Sequence, residues 1–523
     1  MITAPYRAPA ASHARRKTQQ RPPHSRAAWR HALPVVAAAL LSGCAVGPDF
    51  VQPAPPPVTG YTKGREPATT ASANVAGGGA QRLIAGRDVP GEWWRLFRSM
   101  AVKSLVEQAL KNNPDLQAAQ AALRVAVHNT EAQRGAFFPS IDGSFAASRQ
   151  KLPADINGDV PQPAIFNVFT AQVSVSYTPD VFGANRRAVE SLEAQEEGQA
   201  FQLEAAYLTL TSNIVLAAVQ EASLRGQIAA TQKIITIARD LLDLLRRQRG
   251  VGQIAEADVV QQEAALAQIE QTLPPLQRQL QQQRHLLTAL AGRFPSQEVR
   301  ERFELAMLQL PRDVPVSIPS ALVRQRPDVR AAEANLHSTS ALVGVAIANR
   351  LPNITLTANA GSTAFDISKL FSPHTGFWTL AGSIVQPIFR GGALLHRELA
   401  ARAAYEQAEA QYRSTVITAF QNVADALTAL RMDAIALQKA VDAERAANRS
   451  LTIVRQRLDL GDVNYLAVLN AQQTYQQALI SLVQARANRY SDTVALFFAL
   501  GGGWWNRSDV APVELVPAGY VFQ

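Results

Sequence analysis

Histidines, one cysteine and a few paired acids are what this 523-residue chain offers to chemistry. Beyond residue 44 the histidines are His128, His285, His337, His374 and His396. None forms an HxxxH pair, the spacing that places two ligands on one helical face, and there is no second cysteine to join them. No metal site is therefore expected. Gly77-Gly78-Gly79 and Gly501-Gly502-Gly503 lack the Lys-Ser/Thr that follows a phosphate-cradling glycine loop. Glu196-Glu197, and Asp240 with Asp243, lie in helical periodicity, where acids most simply form solvated faces. No Ser–His–acid arrangement can be argued from spacing. The expectation is a protein with no catalytic residue and no cofactor.

Cys44 is the residue with an evident reaction. It follows a basic region ending at Arg30-His31 and an apolar run from Ala32 to Leu41, then Ser42-Gly43. Ten residues rise only about 15 Å as a helix, half a bilayer, so the run is a targeting segment and not a span. Leu41-Ser42-Gly43-Cys44 resembles the bacterial lipoprotein box, in which the thiol is lipidated and the cysteine becomes the first residue. Cys44 is the only cysteine, so no disulfide can form within the chain.

The net charge of +9 suggests a polyanion partner until it is located. Seven basic residues and no acid fall within residues 1–43, and without those seven the balance is 44 basic against 42 acidic residues. A near-neutral body gives no electrostatic case for nucleic acid. Aromatic residues are 7% of the chain, and Ala and Gln are abundant, which suits long helices packed through small side chains.

The elements that would carry a function come in two sets. Pro114-Asp115-Leu116-Gln117-Ala118-Ala119 aligns with Pro327-Asp328-Val329-Arg330-Ala331-Ala332, 213 residues on. Phe138-Pro139-Ser140-Ile141 aligns with Leu351-Pro352-Asn353-Ile354 at the same offset. Each half reads as helix, strand, strand, long helix, tight turn, helix. Residues 170–177 alternate strictly, with Ala171, Val173, Val175 and Tyr177 on one side and Gln172, Ser174 and Ser176 on the other. Ile354, Leu356, Ala358 and Ala360 alternate likewise; residues 139–148 and 377–386 do so less cleanly. Runs of this length suit tilted membrane strands, but four strands cannot close a barrel, so a membrane reading requires an oligomer.

From Leu203 to Leu245, apolar residues step by alternating four and three, interrupted at Glu221 and Thr231. Val416 to Val441 repeats the pattern, the signature of coiled-coil packing. The long helices end at Gly250-Val251-Gly252 and Gly461-Asp462, so each half builds a helical hairpin with an exposed tip. Pro274-Pro275 marks a break in the first returning helix. Pro295, Pro311, Pro315 and Pro319 punctuate the link between halves, and residues 45–85 read as an extended tether.

Together these features resemble the outer-membrane efflux channel family, the TolC-like proteins, in particular the NodT-type lipoprotein branch. The residues that carry the resemblance are Cys44-Ala45-Val46-Gly47-Pro48-Asp49-Phe50, Trp93-Trp94 and Asn113-Pro114-Asp115-Leu116. In the second half they are Arg326-Pro327-Asp328-Val329-Arg330-Ala331-Ala332-Glu333 and Leu500-Gly501-Gly502-Gly503-Trp504. The resemblance implies a mainly α homotrimer with a twelve-stranded membrane β-barrel, four strands per chain, continued by a long periplasmic helical barrel. It implies a channel in the lipid of the outer membrane, meeting a periplasmic adaptor protein and, through it, an inner-membrane efflux pump. The tips that would contact the adaptor carry Gly252, Asp258, Gly461 and Tyr465. The family's gate pattern Tyr-Leu-x-Val-Leu-Asp-Ala-Gln-Arg reads Tyr465-Leu466-Ala467-Val468-Leu469-Asn470-Ala471-Gln472-Gln473 here. Asn470 and Gln473 thus replace an acid and a base, and a gate held by amide hydrogen bonds and packing is expected.

The expected organisation is a signal peptide at 1–43, a lipidated tether at 44–90, a first repeat at 91–310, a second at 311–505 and a tail at 506–523. The competing reading is a lipid-anchored periplasmic coiled-coil scaffold or adaptor, which leaves the alternating strands unexplained.

Overall fold

The computed structural model describes residues 45–64, 67–152 and 164–507. The signal peptide, Cys44 and all of the tail beyond Arg507 lie outside the described residues. The first half contains β1 (Arg82–Ala85), a 3-10 turn (Trp93–Phe97), α1 (Met100–Asn112), α2 (Pro114–Arg134), β2 (Ser140–Leu152), β3 (Ala164–Tyr177), α3 (Ala184–Gly250), α4 (Glu256–Gln271) and α5 (Leu273–Leu290). The second contains β4 (Asp313–Val316), α6 (Pro319–Gln325), α7 (Pro327–Ala348), β5 (Asn353–Ala364), β6 (Gly376–Val385), α8 (Ala393–Asp459) and α9 (Tyr465–Ala499).

Helix starts follow local chemistry. Asn113 caps α2, its Oδ1 accepting from the N–H groups of Asp115 at 2.9 Å and Leu116 at 3.1 Å, while Pro114 sits in the first turn. At the corresponding place before α7 stands Arg326, which cannot cap. Its guanidinium instead binds Asp328 at 2.6 Å and donates to the Ala499 carbonyl at 3.0 Å, tying α7 to the end of α9. The break in the first returning helix falls at Thr272, with the prolines in the first turn of α5, where an N–H would be unbonded anyway.

α3 and α8 are 67 residues each, or roughly 100 Å at the usual rise. Their apolar seams are buried: Ile214, Leu224, Ile235 and Leu242 in α3, and Val423, Leu430 and Leu437 in α8. Glu221, which interrupts the first seam, is completely buried. Its Oε1 accepts from Arg225 at 2.6 Å and from Arg284 of α5 at 3.0 Å. Arg284 also pairs with Glu298 and donates to the carbonyls of Val299 at 2.9 Å and Glu301 at 3.2 Å. The charge in the seam is therefore a cross-link between helices. A buried core of Trp93, Trp94, Phe97, Tyr490 and Phe497 fastens the chain before α1 to the end of α9.

One expectation needs correction. Residues 45–64 and 67–85 are not a free tether. Val46 N–H donates to the Phe182 carbonyl at 3.1 Å, Asp49 pairs with Arg187 at 2.6 Å, Phe50 stacks on His337, and Tyr61 donates to the Ser317 carbonyl at 2.8 Å. Isolated aromatic and acidic residues among the prolines provide these anchors, so the segment lies along the helices. The link between halves contains a strand. Pro315 lies within β4, which pairs in parallel with β1 through Leu83↔Val314 and Ile84↔Pro315.

Breaking a buried ion pair from one side strands the other charge. Arg284→Ala is expected to cost about 3–5 kcal/mol, and Arg284→Leu with Glu221→Leu to recover most of it, read from urea unfolding.

Candidate functional site

Two regions have the geometry of a functional surface: the four-stranded sheet and the helical tips.

The sheet runs β2-β3-β5-β6, antiparallel throughout. Its register aligns the sequence alternation across all four strands. Ile141, Val175, Ala358 and Leu380 form one row, and Gly143, Val173, Ala360 and Trp378 the next on the same face. On the opposite face, Asp142, Ser174, Asn359 and Thr379 form a row, followed by Ser140, Ser176, Thr357 and Ala381. One face is thus apolar and the other polar, although β2 and β6 alone alternate poorly. The apolar face is open: Ile141, Trp378, Leu380 and Ile384 are each 69–80% exposed. Among the described residues β2 and β6 each pair on one side only, leaving two open edges.

The tips lie at the far ends of α3 and α8. Gly252 N–H donates to the Arg249 carbonyl and Gln253 N–H to the Gln248 carbonyl, both at 2.9 Å. Gly461 N–H to Leu458 and Asp462 N–H to Arg457 repeat this pattern, again at 2.9 Å. This is the Schellman closure, and both glycines take the left-handed backbone it needs, with φ of 76° and 75°. Arg457 pairs with Asp462 at 2.7 Å, and Arg246 with Glu263 at 2.7 Å, beside the turns.

Inside the tip, Tyr465 donates its hydroxyl to Gln262 Oε1 at 2.6 Å, and Gln262 Nε2 donates to the Ala238 carbonyl at 2.8 Å. This chain bridges α9, α4 and α3. Burial, with a smaller contribution from the Asp258 carboxylate, pushes the Tyr465 phenol up to about 12, so it stays a donor at any physiological pH.

The expected site residues therefore separate. Gly252 and Gly461 are exposed at the turns and Asp258 is half-buried beside them. Tyr465 does not belong to the tip's outer surface: it is 5% exposed, because its ring completes the packing with Leu242, Val259 and Val468. Asn470 and Gln473 are both exposed, one turn apart on α9. Between them Gln472 is fully buried, and neither amide atom has a partner among the described residues. Gln262 and Gln472 escaped the sequence reading because a lone Gln in a Gln-rich helix carries no signal of burial.

None of the described residues form a cluster able to hold a metal ion, and no described helix is long and apolar enough to cross a membrane.

The family model "Outer membrane efflux protein" matches residues 105–293 and 318–502. The chain is 31% identical over 498 residues to a probable efflux pump outer membrane protein, SepC, of Pseudomonas putida, covering 91% of this chain and 98% of that one. The same figures hold for the toluene efflux pump outer membrane protein TtgF from another strain of that species. The solved outer-membrane channel OprN superposes with a TM-score of 0.78 at 26% identity, over 88% of this chain and all of that one.

Tyr465→Phe leaves the buried Gln262 Oε1 without its donor. The expected cost is about 1–3 kcal/mol, seen as faster amide exchange across residues 256–266 with α2 unchanged.

Proposed function

Because this chain belongs to the outer membrane efflux protein family, we propose that it is the outer-membrane channel subunit of a tripartite efflux system. It conducts substrates passively and performs no catalysis. The single observation that carries this reading is the sheet. An apolar face turned to solvent, a polar face behind it and two unpaired edges make a stable object only when closed into a barrel with lipid outside. Four strands are too few, so three copies contribute twelve. α3 to α5 and α8 to α9 then form the wall of a helical barrel, built from two tandem structural repeats. Matched turns support the repeats: Gly252 and Gly461 close helices with the same hydrogen bonds.

Lipidation of Cys44 anchors each copy to the membrane, and the segment that follows is docked from Val46 onward, beside the first residues of α3. The exposed turns at Gly252 and Gly461, with Asp258 beside them, are the surface offered to a periplasmic adaptor, which connects to an inner-membrane pump. Tyr465 supports this surface from within. Asn470 and Gln473 line the gate, where uncharged amides replace an ion pair. A coiled-coil scaffold would have no use for rows of exposed Ile, Leu and Trp backed by rows of Ser, Thr and Asn.

Reconstituted protein is expected to run as a heat-modifiable trimer and to pass single-channel current; a water-soluble monomer without conductance overturns the reading. Leu380→Arg, on the apolar face, is expected to cost about 2–4 kcal/mol of barrel stability, while Thr379→Arg, on the polar face, leaves stability intact and shifts ion preference toward anions. Asn470→Asp places three carboxylates at the gate, and planar-bilayer recordings are expected to show a shift toward cations. Unchanged ion preference and conductance would move the gate away from Asn470.

A further inference from the structure

The apolar face of the sheet has a defined end. From Ile354 to Ala364, β5 rises about 33 Å along its own axis. At a barrel strand's tilt of about 40° that is about 25 Å across a membrane, the height of the apolar band such strands present to lipid. No Asp, Glu, Lys or Arg falls on this face over that length in any of the four strands. Ala364 closes the band in one row with Phe169 of β3 and Ala147 of β2.

β2 continues past that row. Its register against β3 runs unbroken from Ser140↔Ser176 to Leu152↔Ala164, so alternation carries the face of Ile141 and Phe145 on to Arg149 and Lys151. These are the first charges on the face, about 7 Å apart, opposite the uncharged Asn167 and Ile165 of β3.

Both side chains are exposed, and among the described residues neither forms an ion pair. The cations at the other end of the sheet, where the helices begin, differ. Arg134 holds Glu193 at 2.6 Å, Arg186 holds Asp180 at 3.2 Å, and Arg350 holds Glu398. At the far end the turn after β5 carries one acid and one base, Asp366 and Lys369. Asp366 Oδ1 is occupied there by the N–H and the hydroxyl of Ser368, both at 2.9 Å. Asp155 and Asp159 follow Lys151 in the chain, outside the described residues. Two neighbouring cations repel one another, and an anion set between them relieves that repulsion.

We infer that Arg149 and Lys151 are a docking surface for the phosphate groups of an anionic lipid, in the leaflet away from the helices. The inference rests on the channel reading, which turns the apolar face to lipid and sets three such pairs around the rim of the barrel. A lipid whose chains lie along the rows of Ile141 and Phe145 has its headgroup just beyond Ala147, where the two cations stand. The planar fork of Arg149 fits two phosphate oxygens at once, and Lys151 adds a point charge. Their apolar stems stay on the face while the charged ends reach the headgroup. Free phosphate would gain the same hydrogen bonds without the apolar contact, so a lipid is the occupant that uses both parts of the surface.

The test counts diphosphoryl lipid A, a phosphate-bearing glycolipid, bound to the detergent-solubilised full-length protein by native mass spectrometry, with phosphatidylcholine as the neutral competitor. Arg149→Gln with Lys151→Gln is expected to lower lipid A affinity about tenfold and to leave phosphatidylcholine unchanged. Arg149→Lys with Lys151→Arg keeps both charges and is expected to stay within about threefold of the wild type. Equal lipid A binding by the wild type and the Gln variant, in samples that conduct as channels, overturns the docking surface and leaves the channel reading standing. Samples without channel conductance overturn that reading, and the docking surface with it. Inorganic phosphate that displaces lipid A at equal concentration marks a free-anion site and overturns the lipid as occupant. Should the double Gln variant not assemble, Arg149→Gln alone decides: a loss of about threefold is expected, and no loss overturns the proposal.

Discussion

A peptide group in hydrocarbon has no water to bond, and an open strand edge is a line of such groups. The four-stranded sheet has two of these edges, along β2 and β6, and one face rich in exposed apolar side chains. In the channel we propose, closure with other copies supplies the missing hydrogen bonds, the closed wall has an apolar outside and a polar inside, and the helices that continue from β3 and β6 extend that wall away from the membrane.

Length in those helices depends on packing more than on propensity. α3 and α8 carry apolar seams that bury along their course, and in proteins most helical stability comes from such packing. Where the first seam is broken, Glu221 is bound by Arg225 and Arg284, turning a buried charge into a strut between α3 and α5. At the tips a left-handed glycine lets the last carbonyls find N–H partners as the chain reverses. The Tyr465–Gln262–Ala238 relay then fastens α9 to α4 and α3, so the tip turns sit on a rigid support.

Much of this was legible in the residues. Strict alternation over 170–177 and 353–360 marks the two central strands, because a strand has one apolar and one polar face. β2 and β6 were faint, since Gly143, Ala147 and Gly382 blur the alternation, and only the register shows that their residues continue the rows of their neighbours. Glycine at 252 and 461 identified the turns. Tyr465 follows the turn directly, but sequence distance from a turn says nothing about the direction of a side chain, and its ring is buried.

The amino-acid sequence by itself determined the elements. Period-two and period-3.5 patterns, prolines and glycines are local signals, and local backbone energetics are enough to read them. Tertiary structure alone decided which strand lies beside which, that Glu221 meets Arg284, and that the buried Arg489 meets Gly79 and Gln81. It also anchored Val46, Asp49, Phe50 and Tyr61 to the body rather than leaving them free. These contacts join residues up to several hundred positions apart, and their energies depend on distance and burial, which no local pattern encodes.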